Sequence, residues 1–235
     1  MKRQVIIIFG PPGAGKGTQA QLLAEKLGLY HLEASKVLEE KFKELENLPE
    51  DSKERFIRVN GENFDVFKEK ELWTKGFLCS PPFVVQLMKE KIKKLSERGE
   101  DLILSGSPRT VYEARQEIPL LKELYGAESI KVFFVKISAE ETIFRNSHRK
   151  ICELMRHPIL YNKETETLTT CPLDGSKLIR REGLDDPEII KTRLKEYEEK
   201  TFPMTDVYKT EGVKITEING EQSVSDVFGD ILKAL

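Results

Sequence analysis

Residues 9–19 read Phe-Gly-Pro-Pro-Gly-Ala-Gly-Lys-Gly-Thr-Gln, so four glycines and a lysine separate the apolar run 5–9 from a stretch with helical spacing. Glycine in such numbers lets backbone N–H groups converge on one point, to which the N-terminus of the following helix adds positive potential. A phosphate is the ligand that suits this geometry, with Lys16 reaching the outer phosphates of a polyphosphate chain. The turn works only if a buried strand precedes it and a helix follows. The start of the chain is therefore committed to a strand, a turn and a helix.

The spacing Gly10-x4-Gly15-Lys16 is that of a Walker A loop, although Gly17 follows the lysine and Thr18 comes one place later. Apolar runs recur at 5–9, 30–32, 101–104, 132–137 and 213–218, with helical stretches between them. That alternation predicts parallel βα units and a sheet covered on both faces. Residues 19–27 predict a helix capped by Gly28. Ser138-Ala139-Glu140-Glu141 reads as a capping box opening another helix, on which Arg145 and Arg149, four apart, share a face. The last helices are expected at 187–200 and 223–235. Two stretches break the alternation. Residues 39–76 are charged and mostly helical in pattern, with Val59-Asn60-Gly61-Glu62 as a turn joining two short strands. Residues 151–183 are polar, threonine-rich at 165–170, and read as a β-rich flap. Both are taken as insertions that can move.

At 235 residues the chain can bury one core with insertions. Lysine and arginine, 38 together, nearly balance 40 aspartates and glutamates for a net charge of −2, which leaves no overall basic surface for nucleic acid. Cationic chemistry must be local. Three scattered cysteines make no disulfide framework and fit a reducing compartment, so a cytoplasmic location is expected. The run 5–9 is too short for a signal peptide, no run approaches a membrane span, and no heptad pattern argues for assembly, so a monomer is expected.

The loop at 10–19 resembles that of adenylate kinases and related nucleoside monophosphate kinases, where glycine then threonine after the lysine is usual. The resemblance covers nearly the whole chain. Gly76-Phe77-Leu78-Cys79-Ser80-Pro81 is similar to the segment lining the monophosphate's base, and Gly106-Ser107-Pro108-Arg109-Thr110 to the family's Asp-Gly-Phe-Pro-Arg-Thr turn. Glu141-x3-Arg145-x3-Arg149 resembles its arginine-bearing helix before the lid. The fold implied is an α/β P-loop kinase whose five-stranded parallel sheet is covered by helices. Its core would be 1–38, 77–150 and 184–235, with a monophosphate-binding insertion at 39–76 and a lid at 151–183. The activity implied is transfer of the terminal phosphate of ATP, carried with Mg2+, to a nucleoside monophosphate, giving ADP and a nucleoside diphosphate.

By the same resemblance Gly13, Ala14, Gly15, Lys16, Gly17 and Thr18 hold the ATP phosphates, Arg145 packs on the ATP base and Arg149 reaches its phosphates. Lys16, Arg109, Arg149, Arg181 and Arg193 form the implied catalytic set, with Arg180 competing for the place of Arg181. Arg109 would grip the acceptor phosphate, while Arg181 and Arg193 swing in from the flap and exclude water. The acceptor is implied to lie against Ala34, Lys36, Glu39, Leu78, Cys79, Gly106, Ser107, Arg109, Glu113, Arg181 and Arg193.

The chain departs from the family on this acceptor side. Relatives carry a stretch like His-Ile-Ser-Thr-Gly-Asp-Met-Leu-Arg, whose threonine and final arginine hold the monophosphate; residues 31–39 here put Ala34 and Glu39 at those places. Lys36 supplies a charge from the neighbouring turn, but an ammonium does not reproduce a bidentate fork. Ser105 stands where an aspartate would serve the magnesium. Glu113 replaces a glutamine at the adenine edge, and a carboxylate repels adenine N1 while suiting the donors of guanine or cytosine, so GMP or CMP is the alternative acceptor. The bland alternative is that Glu113 faces solvent or pairs with Arg115. Two other readings stand beside the kinase: a nucleotide-binding protein with reduced catalysis, and a kinase for a small non-nucleotide metabolite. In the flap, Cys152-x2-Met155 and Cys171-x2-Asp174 resemble the zinc lids of some relatives. Methionine is a poor zinc ligand, so Cys152, His157, Cys171 and Asp174 form the candidate set, against a metal-free lid with packed cysteines.

Overall fold

The computed structural model describes residues 3–49, 52–156, 158–180 and 185–235. The elements run β1 (Val5–Phe9), α1 (Lys16–Leu27), β2 (Tyr30–Glu33), α2 (Ala34–Glu44), β3 (Phe56–Val59), β4 (Glu62–Asp65), α3 (Val66–Thr74), α4 (Pro81–Glu97), β5 (Leu102–Ser105) and α5 (Val111–Tyr125). They continue with β6 (Ile130–Lys136), α6 (Ala139–His148), β7 (Lys150–Cys152), β8 (Pro158–Ile159), β9 (Leu178–Ile179), α7 (Pro187–Glu196), α8 (Met204–Thr210), β10 (Ile215–Asn219) and α9 (Val224–Lys233).

Among the described residues, five strands form one parallel sheet in the order β10-β6-β1-β5-β2. Lying in the middle, β1 is buried on both sides: Val5, Ile7 and Phe9 enter one core and Ile6 and Ile8 the other. A continuous apolar run, rather than alternation, is the signature of such a strand. Side chains of α2, α4, α5 and α8 fill the first core, and those of α1 and α9 the second. From β1 the chain passes through α1 to β2 at one edge, whereas β6 joins β1 on its other side. The reversal of strand order opens a crevice at the carboxyl ends of the strands, and the loop after β1 runs into it.

Local chemistry explains the boundaries. Gly28, at φ 69°, closes α1, which starts at Lys16, earlier than its apolar spacing suggests. Ser138 Oγ accepts the Glu141 N–H at 3.2 Å, as a capping box requires. The reciprocal acceptor for the Ser138 N–H is Glu221 Oε1 at 2.6 Å, because Glu141 is drawn to Arg145. α6 ends at His148, so Arg149 follows it in extended backbone and does not share a helical face with Arg145. The helix expected at 187–200 stops as α-helix at Glu196 and continues as a π turn over Tyr197–Thr201. Within 39–76, β3 and β4 pair antiparallel around Asn60 and Gly61, both at positive φ (51° and 90°). Within 151–183, β8, β7 and β9 form a small antiparallel sheet. No helix among the described residues is long and apolar enough to cross a membrane.

Gly10 lies at φ 151°, and a Cβ added there would stand 2.2 Å from the carbonyl oxygen of Val135. Gly10→Ala therefore pushes the loop off β6, and a loss of about 3 kcal/mol or more is expected in urea unfolding. Gly229, inside α9 with open space around it, is the contrast. Gly229→Ala is expected to raise stability by about 0.5–1 kcal/mol in the same measurement.

Candidate active site

A cleft of about 1240 Å³ opens at the carboxyl ends of β1, β2 and β5. Sites for one small ligand are roughly 300–1,000 Å³, so this one has room for two. Its floor is the glycine loop: Gly13, Ala14, Gly15, Lys16, Gly17 and Thr18 all line it. Gly13, at φ 83°, lies so close to α6 that a Cβ would approach Asn146 Nδ2 to 2.6 Å. Since α1 begins at Lys16, the N–H groups of its first turn and its positive end belong to the same loop. Lys16 folds back over it, and its Nζ donates to the carbonyls of Gly10 (2.9 Å) and Pro11 (2.7 Å). Burial holds the Lys16 pKa well below that of an ordinary lysine, the charges of Arg109, Arg193 and Arg149 lower it further, and Glu33 opposes them. A cation so placed is poised for an anion.

Among the described residues five arginines line this cleft, Arg109, Arg145, Arg149, Arg156 and Arg193. Arg145 leaves α6 with its Nε donating to Glu141 (2.6 Å) and Nη2 to the Gly220 carbonyl (2.9 Å), which spreads the guanidinium along the wall. Arg149 donates through Nη2 to Asn146 Oδ1 (2.8 Å) and through Nε to Asp185 Oδ2 (3.2 Å), with a second contact to the other oxygen of that buried carboxylate. Arg109 lies back over Gly106, at φ 77°; a Cβ there would stand 2.7 Å from its Nη2. Arg193 comes from α7 and packs its Cγ on Gly76. Arg181 and His157 lie outside the described residues.

Of the residues expected at the acceptor, Lys36, Glu39, Leu78 and Gly106 line the cleft, together with His31, Trp73 and Phe77. Four residues expected there face elsewhere. Ala34 and Cys79 belong to the core. The Cys79 thiol donates to the Glu69 carbonyl (3.5 Å), and burial pushes its pKa up to about 12. Ser107 turns inward and donates to Glu117 Oε1 (2.7 Å). Glu113 is buried as well: its Oε2 accepts the Arg109 N–H (2.7 Å), its Oε1 the Thr110 hydroxyl (3.1 Å), and its own N–H donates to Thr110 Oγ1 (3.2 Å). Thr110-x-x-Glu113 is thus the N-terminal capping motif of α5, a pattern legible in the sequence. Glu113 holds the turn that carries Arg109, and the base discrimination expected of it has no geometry to act through.

Further glutamates that the sequence did not single out shape the wall. Glu69 Oε2 accepts the Ser80 N–H (2.7 Å), and Glu196 Oε2 accepts both the Leu78 N–H (3.0 Å) and the Lys200 ammonium (2.7 Å), so segment 76–80 hangs from two buried carboxylates. In the small sheet, Cys152 Sγ, Cys171 Sγ and an Asp174 oxygen lie within 4.8 Å of one another. The Cys152 thiol donates to Asp174 Oδ2 (3.0 Å), while Asp174 Oδ1 accepts the Ser176 N–H (2.9 Å) and hydroxyl (2.7 Å). Those bonds hold the Asp174 carboxyl far below the usual range. Met155, in the fourth position of the spacing, is 63% exposed.

A model of the adenylate kinase family matches residues 8–213. The chain is also similar along its length to curated proteins named adenylate kinase. It is 34% identical over 234 residues to one from Chlamydia pneumoniae, covering 100% of this chain and 98% of the relative. It is 30% identical over 233 residues to one from Caldicellulosiruptor saccharolyticus, covering 98% of each. A third, from Oceanobacillus iheyensis, is 31% identical over 228 residues and 96% of each chain.

Glu117, beneath the Arg109 turn, is fully buried, and its Oε2 has no hydrogen-bond partner among the described residues. Burial pushes its pKa well above the ordinary 4.5, and the charge of Glu113 pushes it further. The folded protein keeps a proton there that the unfolded chain releases, so stability declines as pH rises above the ordinary glutamate value. Glu117→Gln needs no such proton. It is expected to show a higher urea midpoint than the parent at about pH 8 and to lose most of that advantage near pH 5.

Proposed function

Because the chain belongs to the adenylate kinase family, we propose that it transfers the terminal phosphoryl group of ATP to a nucleoside monophosphate, with AMP as the acceptor. The observation that carries this reading is the convergence of Lys16 with Arg109, Arg145, Arg149 and Arg193 on one cleft large enough for two nucleotides. Phosphoryl transfer spreads negative charge over the equatorial oxygens of a loosely bonded, in-line group, and fixed cations lower that barrier without covalent chemistry. In the proposed assignment the glycine loop and Lys16 hold the triphosphate, Arg145 lies along the donor base, and Arg149 and Arg193 flank the transferred group. Arg109, aimed by Glu113, takes the acceptor phosphate. Segment 76–78 and Trp73 wall the acceptor base. The insertion 39–76 and the lid 151–183 are assigned to cover the two nucleotides.

Magnesium carried with ATP would supply positive charge to the phosphates. The hydroxyls of Thr18 and Ser105 and the Glu33 carboxylate, all lining the cleft beside the loop, are the hard oxygen donors it prefers. AMP is favoured over GMP and CMP because Glu113, the carboxylate that would suit those bases, is buried on the Arg109 turn, and the relatives are named for adenylate. Glu39 on the acceptor side supports a second reading, slow turnover, since a carboxylate there repels the incoming phosphate. Cys152, Cys171 and Asp174 supply three of the four ligands of a tetrahedral zinc. Metal analysis decides this point: about one zinc per chain, lost in Cys152→Ser, supports the metal site.

ADP release measured with AMP, GMP, CMP, UMP and dTMP in turn is expected to be fastest with AMP. Lys16→Met should lower it by about a hundredfold or more. ATP binding without release to any monophosphate would leave the binding-protein reading instead. Because a bound anion returns Lys16 to its charged form, ATP binding at alkaline pH is expected to take up protons, seen as a buffer-dependent calorimetric enthalpy.

A further inference from the structure

Glu33 closes β2 and occupies the N-cap position of α2, where short polar side chains that bond the helix's own N–H groups are preferred. It makes no such cap bond. Its side chain lines the cleft, and it is the residue paired in register with Ser105 on the neighbouring strand β5. The carboxylate is held in place: the Ser35 hydroxyl donates to Oε1 at 2.5 Å, and the Lys36 ammonium lies 3.6 Å from Oε2. His31 Nε2 and Ser105 Oγ, 2.7 Å apart, close the same corner.

Other carboxylates line the cleft too. Glu141 takes Arg145, Glu196 takes Leu78 and Lys200, Glu25 accepts from Gln21 on the exposed side of α1, and Glu39 lies farther along α2. The charge of Glu33 acts on Lys16, opposing the surrounding arginines. A fixed negative charge beside the triphosphate site opposes a bare nucleotide. It becomes favourable only when a divalent cation lies between the two, so it makes metal and nucleotide binding mutually dependent.

We propose that Glu33 is the positioning residue for the magnesium carried by the nucleotide, and that it makes the site select the metal complex over free ATP. This rests on the assignment of the glycine loop as the ATP site. The oxygen donors that surround Glu33 fit magnesium, which keeps much of its water and is commonly bound through one or two carboxylates.

The test is calorimetric titration of the full chain with ATP, with and without magnesium, supported by the paramagnetic resonance of bound manganese. The parent is expected to bind the metal complex more tightly than free ATP. In Glu33→Gln, affinity for free ATP should be unchanged or rise, while the gain from metal shrinks by about tenfold, together with manganese retention. Glu33→Asp, which keeps the charge but withdraws it, should lie between. Adding Ser105→Asp to Glu33→Gln moves a carboxylate to the partnered position on β5 and should restore the coupling, which a merely structural role for Glu33 would not allow. If Glu33→Gln changes affinity by the same factor with and without metal, the proposal is overturned while the ATP site stands. If the parent binds neither form of ATP, the site assignment falls and the proposal with it.

Discussion

Several positive charges brought to the carboxyl edge of one sheet repel each other, and burial strips away the water that would otherwise screen them. The fold must hold them in position before any anion arrives. Lys16 is steadied by two carbonyls of its own loop. Arg145 and Arg149 are each set against a carboxylate and a neutral oxygen. The loop can offer its carbonyls inward only because it presses against β6 and α6 at Gly10 and Gly13, where nothing larger than hydrogen fits. The close packing of backbone on backbone is therefore what makes the concentration of charge possible.

Buried glutamates do the complementary work around segment 76–80 and the Arg109 turn. Glu69 and Glu196 accept the amides of Ser80 and Leu78, and Glu113 accepts the Arg109 amide. A carboxylate accepting a backbone N–H is a strong, directional anchor for a loop that has no sheet to join. Its cost is desolvation, visible in the raised pKa of Glu113 and, more strongly, of Glu117. The Arg109 turn thus stands on two stacked acids, one bonded to its backbone and one to Ser107.

Local patterns were legible and long-range ones were not. The unbroken apolar run of β1, the Asn60-Gly61 hairpin and the Ser138 cap each depend on neighbours within a few residues, and each formed where the sequence placed it. Arg109, Lys16, Arg145 and Arg193 follow motif spacing and do reach the cleft. Motif position does not say which way a side chain turns, however, and so Ala34, Cys79 and Ser107 were expected at a surface they do not share. Glu113 was misread because two local grammars compete there, a capping motif and a base contact, and the nearer hydrogen bonds win. Glu196 was invisible because its partner Leu78 is 118 residues away. A lone acid in a charged helix carries no mark of such a bond.

That long-range bond changes how the two halves of the cleft relate. One helix, α7, presents Arg193 to the cleft three residues before Glu196 takes the Leu78 amide. Gly76, at φ 85°, lies beneath it with its missing Cβ 2.7 Å from Ile189 Cγ2 and 3.2 Å from Arg193 Cγ. Helix α7 is consequently seated on segment 76–78 by a charged hydrogen bond and by contact too close for a side chain. A displacement of Arg193 along with its helix must either carry segment 76–78 with it or break the charge-assisted bond from the Leu78 amide to Glu196. Moving together is the cheaper course. In the proposed assignment, phosphate binding through Arg193 and the wall of the acceptor base are thereby joined through one helix, without a chain of intermediaries.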